Sequence, residues 1–269
     1  MRPLALRSIL FATDLSESSA DAARTAVELA ELAGAALHTV YARTDNETDQ
    51  EDLAERLRSV TADAGVPTSS QIMDGAPHEA IVERARAVDA DVIVLGPHRR
   101  GVQGGPLGTT ADAVVRTSHT PCLVLPSTLK LPLERVLTAS DLSPAAQGAI
   151  AVALSWASAL RRPSSMGGGT ELRVVHVARG SGEGATAGTL RDEVERAKND
   201  AVSAAHVQIQ EIRVQGEDPA EKILDEARSS RSDLIVVGTR GQGAGDDGGI
   251  GSVSTAVIQK TSCPVLLVP

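Results

Sequence analysis

Apolar and polar positions along the chain alternate between two regimes. Short runs such as Ile9-Leu10-Phe11-Ala12, Val92-Ile93-Val94-Leu95 and Leu234-Ile235-Val236-Val237 are continuously apolar and rich in β-branched residues. A strand reads this way when both faces of its sheet are covered, which is the parallel α/β arrangement. Between these runs, apolar residues recur at helical spacing. After Asp14, Ser16 or Ser18 is placed to cap a helix with Ala22, Ala23, Ala26, Val27, Leu29 and Ala30 on its buried side. After Asp141, Ser143-Pro144 supplies a cap and a proline at the first helical position. The helix that follows runs from Ala145 to about Arg161, with Trp156 packed on the sheet. Helices at about 50–61, 77–88, 188–204 and 219–229 continue the alternation, and each half closes with a further helix and a short strand.

The same pattern is written twice. Ile9 to Ser16 aligns with Val136 to Ser143, Leu37 to Ala42 with Arg173 to Ala178 (offset by one), and Asp91 to Gly96 with Asp233 to Gly238. Thr120 to Pro126 aligns with Cys263 to Pro269. Four anchors in one order make a tandem repeat, with domains over 1–127 and 134–269 joined by Ser127 to Leu133. Each half reads β-α-β-α-β-α-β-α-β. Pro163 to Thr170 and Gly180 to Gly188 are rich in small residues and read as solvent loops.

Composition narrows the function. Phe, Tyr and Trp occur once each and the net charge is −9. A nucleic-acid surface needs a clustered basic face or stacking aromatics, so nucleic acid is excluded as a partner. No apolar run approaches the ~20 residues of a membrane span, and the first residues lack the apolar core of a secretory signal, so a cytoplasmic protein without a membrane partner is expected. Cys122 and Cys263 sit beside a proline near the end of each half. They read as buried free thiols, with an inter-domain disulfide the less favoured alternative, and neither has partners at metal-ligand spacing.

Candidate chemistry lies at the carboxyl ends of the strands, where open parallel sheets bind ligands. Asp14 and Asp141 end the first strand of each half. Either can accept hydrogen bonds from a base or ribose, or simply cap the next helix; both readings stand. The fourth strand of the second half runs into Gly238-Thr239-Arg240-Gly241, then nine residues, then Gly251-Ser252. Its counterpart runs from Gly96 through Pro97-His98-Arg99 to Gly108-Thr109. Glycine-rich loops between a strand and a helix start let backbone N–H groups approach an anion closely.

With these motifs in place, each half resembles the universal stress protein domain, whose ATP-binding members carry G-x2-G-x9-G-[S/T] after the fourth strand. The resemblance covers essentially the whole chain. It implies two tandem open, doubly wound, parallel five-stranded α/β sheets of the adenine nucleotide alpha hydrolase-like kind, with ATP as ligand and Mg²⁺ or Mn²⁺ accompanying it. It carries nucleotide contacts onto Ala139, Ser140, Asp141, Val175, Gly238, Arg240, Gly241, Gly251, Ser252, Val253 and Ser254. In the first half the matching positions are Ala12, Thr13, Asp14, Val40, Gly96, His98, Gly108, Thr109 and Thr110. It also implies pairing through the fifth strands, Cys122 to Leu125 and Val265 to Val268, between the two halves and in a homodimer; the protein partner is unidentified.

The halves depart from the pattern differently. The second keeps the spacing but carries Asp246-Asp247 within the loop. Near a polyanion, each close pair would repel by ~1 kcal/mol or more unless a divalent ion bridged it; a solvated loop tip is the favoured reading. The first carries Arg99 in place of the second glycine, and Gly108 comes one residue early. The arginines attract phosphate, while a Cβ spoils the cradle if that position needs a positive φ. ATP is therefore expected in the second half, and the first stays open. Neither loop holds a Walker lysine, and no nucleophile–base grouping is visible. The expectation is a binding protein with at most slow, incidental ATP hydrolysis, acting in stress response or signalling. The alternatives are an interaction module without nucleotide and, less favoured, an enzyme on a related fold.

Overall fold

The structure is a computed structural model that describes residues 6–43, 50–96, 107–161, 169–178, 186–241 and 249–269. The chain divides into two compact units, Leu6–Leu129 and Lys130–Pro269.

In the first unit the order is β1 (Ser8–Ala12), a 3₁₀ turn (Glu17–Ser19), α1 (Ala20–Ala33), β2 (Ala36–Arg43), α2 (Gln50–Ser59), β3 (Thr68–Asp74), α3 (Pro77–Ala87), β4 (Val92–Leu95), α4 (Thr109–Thr117) and β5 (Cys122–Val124). In the second it is β6 (Arg135–Ser140), α5 (Pro144–Ala159), β7 (Thr170–Ala178), α6 (Thr186–Asp200), β8 (Val207–Gln215), α7 (Pro219–Ser230), β9 (Leu234–Gly238), α8 (Ser252–Lys260) and β10 (Val265–Val268). The first unit's strands are arranged β3-β2-β1-β4-β5 and the second's β8-β7-β6-β9-β10. Every strand pair within each unit is parallel. The chain leaves β1 and β6 in one direction and returns on their other side, so each sheet has its switch point between first and fourth strands.

Register repeats with the sequence. Ile9 lies opposite Leu37 and Val92, and Val136 opposite Leu172 and Leu234. Ala12 faces Val40 and Ala139 faces Val175, which makes those two valines equivalent. The central strands bury an apolar stretch on both faces because helices cover them; Ile9, Leu10, Phe11, Val136 and Leu137 are all buried. An aspartate before the fourth strand pins the start of the first in each unit. Asp91 Oδ2 accepts the N–H of Arg7 at 2.7 Å and of Ser8 at 3.0 Å. Asp233 Oδ2 accepts those of Glu134 at 3.0 Å and Arg135 at 2.8 Å.

Several expectations meet corrections. Neither Ser16 nor Ser18 caps α1, because the 3₁₀ turn intervenes and Ser16 Oγ instead donates to Asp14. Ser143 does cap α5, accepting the Ala146 N–H at 3.2 Å. Ala23 and Val27 are half-exposed rather than buried, and line a groove of about 470 Å³ between α1 and the α2 region. In the second unit α5 packs against α6, where Gln147 Nε2 donates to Asp200 Oδ2 at 2.8 Å. The α6 helix spans Thr186–Asp200, so it begins inside the stretch read as a loop and ends before residue 204. The rest of the two small-residue segments lies largely outside the described residues. Trp156 is buried on α5, which packs on β6, β7 and β9. Cys122 and Cys263 are free, Cys122 buried and Cys263 only half so. Burial pushes both thiols up to about 12.

Candidate functional site

Each first strand ends in the same hydrogen-bonded turn. Thr13 Oγ1 accepts the Leu15 N–H at 3.0 Å, and Asp14 Oδ1 accepts that of Ser16 at 3.0 Å. In the second unit, Ser140 Oγ accepts the Leu142 N–H at 2.9 Å, and Asp141 Oδ1 that of Ser143 at 3.0 Å. Between them the leucine is forced into the left-handed region, with φ of 55° at Leu15 and 64° at Leu142. A leucine held there costs about 1–3 kcal/mol and persists only where its surroundings over-determine it. Its recurrence at both switch points marks the turns as built features.

The glycine loop of the second unit meets this turn. A Cβ on Gly241 would lie 2.4 Å from Asp141 Oδ2 and 3.4 Å from its Cγ. The second glycine thus lets the loop pass close to the carboxylate, and a side chain there would displace the carboxylate's end. The expected reason, a positive φ, does not apply at Gly241. Nor does it apply at Gly251 or Gly108, whose φ values are −57° and −62°. The loop is closed at its base, where Gly251 N–H donates to Thr239 O at 2.7 Å. Ser254 Oγ donates to Gly238 O at 2.7 Å, tying α8 to the end of β9. No side chain caps α8, so its first-turn amides at Ser252, Val253 and Ser254 sit at the positive end of the helix dipole. Ser252 and Arg240 are exposed, Gly238 and Ala139 half-buried, and Val175 and Ser140 buried. Asp246 and Asp247 lie outside the described residues.

The first unit repeats part of this arrangement. Ala12, Thr13, Asp14 and Val40 hold the strand-end positions. Gly96 follows β4, packed so that a Cβ would lie 3.2 Å from that of Ala22. Gly108 precedes α4 without a side-chain cap, and Thr109 and Thr110 open that helix. His98, Arg99 and Arg100 lie outside the described residues.

Two residues of the second site escaped the sequence reading. Glu193 of α6 is buried, and its Oε2 accepts the Ser140 hydroxyl at 2.5 Å. His176, next after Val175, is also buried and donates from Nδ1 to Ser140 O at 3.0 Å. Burial pushes the Glu193 carboxyl above its ordinary range; the Ser140 hydrogen bond opposes this, and the Asp141 charge adds to it. In the first unit no described carboxylate meets the equivalent hydroxyl, and Arg56 donates to Leu15 O at 3.4 Å. Thr13 Oγ1 pairs with Ser19 Oγ at 3.1 Å, and Tyr41 in the place of His176 packs with Leu53 and Leu57. The available signal was a glutamate set into the apolar stripe of Leu190, Val194 and Ala197. Among the described residues no cluster could hold a metal ion, and no helix is long and apolar enough to cross a membrane.

Two successive doubly wound α/β modules, each with a glycine before an uncapped helix at its switch point, define a tandem α/β protein. The sequence pattern of the universal stress protein family matches residues 5–126 and again 132–269. The chain belongs to that family. Universal stress protein Rv2005c of Mycobacterium tuberculosis is 28% identical over 225 residues, 78% of this chain and 71% of the relative. Universal stress protein MJ0531 of Methanocaldococcus jannaschii is 27% identical over 139 residues, 44% of this chain and 81% of the relative. The crystal structure of a universal stress protein from Archaeoglobus fulgidus superposes with a TM-score of 0.73 at 21% identity, covering 100% of this chain and 99% of that one. At that identity the likeness speaks to the fold.

Proposed function

We propose that this universal stress protein binds an adenine nucleotide, ATP with Mg²⁺ or Mn²⁺, in its second unit and works as a nucleotide-dependent stress-response or signalling protein. The observation that carries the reading is the approach of Gly241 to Asp141 beside the uncapped start of α8. A carboxylate that can accept from ribose or base amino groups then shares one rim with amides that can hold phosphate. Ala139 borders the adenine with Val175 packed behind it, Gly238 and Arg240 flank the phosphate path, and Gly251 to Ser254 supply the helix end. The proposal extends to a cytoplasmic binding protein rather than an enzyme, and to homodimer assembly through the apolar fifth strands.

Calorimetric titration with ATP and Mg²⁺ tests the reading. Binding that is present in the wild type and lost in Gly241→Val plus Ser252→Ala supports it; no heat at millimolar nucleotide sinks it. The turns after β1 and β6 favour a second reading, an interaction module without nucleotide, because Asp14 and Asp141 already accept a turn amide. Nucleotide-independent self-association with no ATP binding would select that second reading. Stoichiometric ATP turnover to a defined product would instead make the protein an enzyme.

A further inference from the structure

Glu193 and Asp233 are the buried carboxylates among the described residues. Asp233 receives two backbone N–H groups, a structural role that is complete in itself. Glu193 receives the hydroxyl of Ser140, and that hydroxyl oxygen in turn accepts the amide of Leu142. The chain of contacts therefore runs from a buried carboxylate on α6, through one oxygen, to the left-handed residue that follows Asp141.

We infer that Glu193 is a positioning residue of the second unit's site, holding the Asp141 turn through Ser140, and that an anionic nucleotide entering the site draws a proton onto it. The inference rests on the nucleotide reading above. Ionised, Glu193 accepts the Ser140 hydroxyl's hydrogen bond, which leaves the oxygen's lone pairs toward the Leu142 N–H. A polyanion beside Asp141 adds like charge close to a carboxylate that burial already disfavours in its charged form. The other charges facing Glu193 are Asp141 from the turn, which favours the proton, and His176 from β7 and Arg196 on its own helix, which oppose it. The packed helix α5 carries no ionisable side chain. In the first unit the equivalent hydroxyl pairs with Ser19, and no carboxylate among the described residues meets it. That unit is an internal reference.

The sign follows from the like charge. Nucleotide raises the Glu193 pKa, so affinity is highest where Glu193 is already protonated and weakens as pH rises through its bound-state value. ATP dissociation constants at saturating Mg²⁺ from pH 5 to 8, for wild type and Glu193→Gln, give a ratio from which the ligand's own titration cancels. We expect that ratio to change about fivefold across the range. A second measurement needs neither ligand nor variant. In the wild type, the amide resonances of Leu142 and Ser143 shift with the midpoint of the Glu193 side-chain carbon, while Leu15 and Ser16 do not follow it. Leu142 amides that ignore Glu193, or ATP binding with one pH profile in both proteins, overturn the inference and leave the nucleotide reading intact. No ATP binding at any pH overturns the nucleotide reading and the proton uptake, while positioning through Ser140 is then decided by the amide titration.

Discussion

Gly241→Ala separates a positional role for this glycine from a conformational one. The added Cβ arrives 2.4 Å from Asp141 Oδ2, inside any tolerable contact, so the carboxylate must retreat by about 1 Å. Retreat strains the 3.0 Å bond from Ser143 N–H to Oδ1. Hydrogen bonds to a charged group contribute about 1.5–3 kcal/mol, but Asp141 is exposed and water replaces much of what is lost. The expected loss of stability is therefore about 1 kcal/mol, or roughly 2–4 °C in melting temperature for a unit of this size. The effect on the site is larger, because the carboxylate and the loop are the two sides of the crevice; ATP affinity falls about tenfold or more. Thermal melting and calorimetry on one preparation give both values. A thermodynamic cycle sharpens the test. On an Asp141→Ala background the clash is gone, so adding Gly241→Ala costs no further stability. An alanine variant with unchanged melting and affinity refutes the argument, as does a penalty that survives removal of Asp141.

Other predictions rest on separate parts of the molecule. Asp233→Ala leaves the N–H groups of Glu134 and Arg135 without their carboxylate and destabilises by about 2–4 kcal/mol, read by denaturant unfolding; Asp91→Ala behaves alike. Ser254→Ala removes the 2.7 Å tie to Gly238 O and costs about 1 kcal/mol, with weaker ATP binding in the same preparation. With thiols at about 12, Cys122 and Cys263 react slowly with an aromatic disulfide at pH 8 and promptly once the chain is unfolded, followed by absorbance. Glu193 binds its proton more tightly folded than unfolded. Its contribution is therefore complete below the ordinary glutamate range and is lost as pH rises through the folded value. Glu193→Gln accordingly gains stability relative to wild type as pH rises above the ordinary glutamate range, read by urea unfolding, and a flat difference refutes the shift.

The duplicated strands were legible because burial on both faces leaves an unmistakable apolar run, as in Ile9 to Ala12 and Leu234 to Val237. Helix starts were legible where one residue does the capping, as at Ser143, and misjudged where a 3₁₀ turn came between, as before α1. The candidate rim was visible through Asp141 and Gly241, but the reason for the glycine was not. A side chain there would meet a carboxylate about a hundred residues away in sequence, which no local rule reports. Glu193 and His176 were missed for the same cause: each looks ordinary on its own element, and meaning arises where α6 and β7 converge on Ser140.

That convergence changes how the repeat is understood. Both units spend strain on the same left-handed leucine after the strand-end aspartate, so the turn is common property of the fold. What differs is the group behind it: an uncharged serine in the first unit and an ionisable glutamate in the second. If duplication had merely preserved a scaffold, the second unit would gain nothing from burying a carboxylate beside Asp141, since burial opposes its charge. Exchanging the two arrangements decides the matter. Ser140→Thr with Glu193→Gln rebuilds the uncharged environment of Thr13 in the second unit, and its nucleotide affinity should become insensitive to pH beyond the ligand's own titration. A double variant that keeps the wild-type profile would place the pH dependence elsewhere, and with it any functional meaning of the asymmetry between the units.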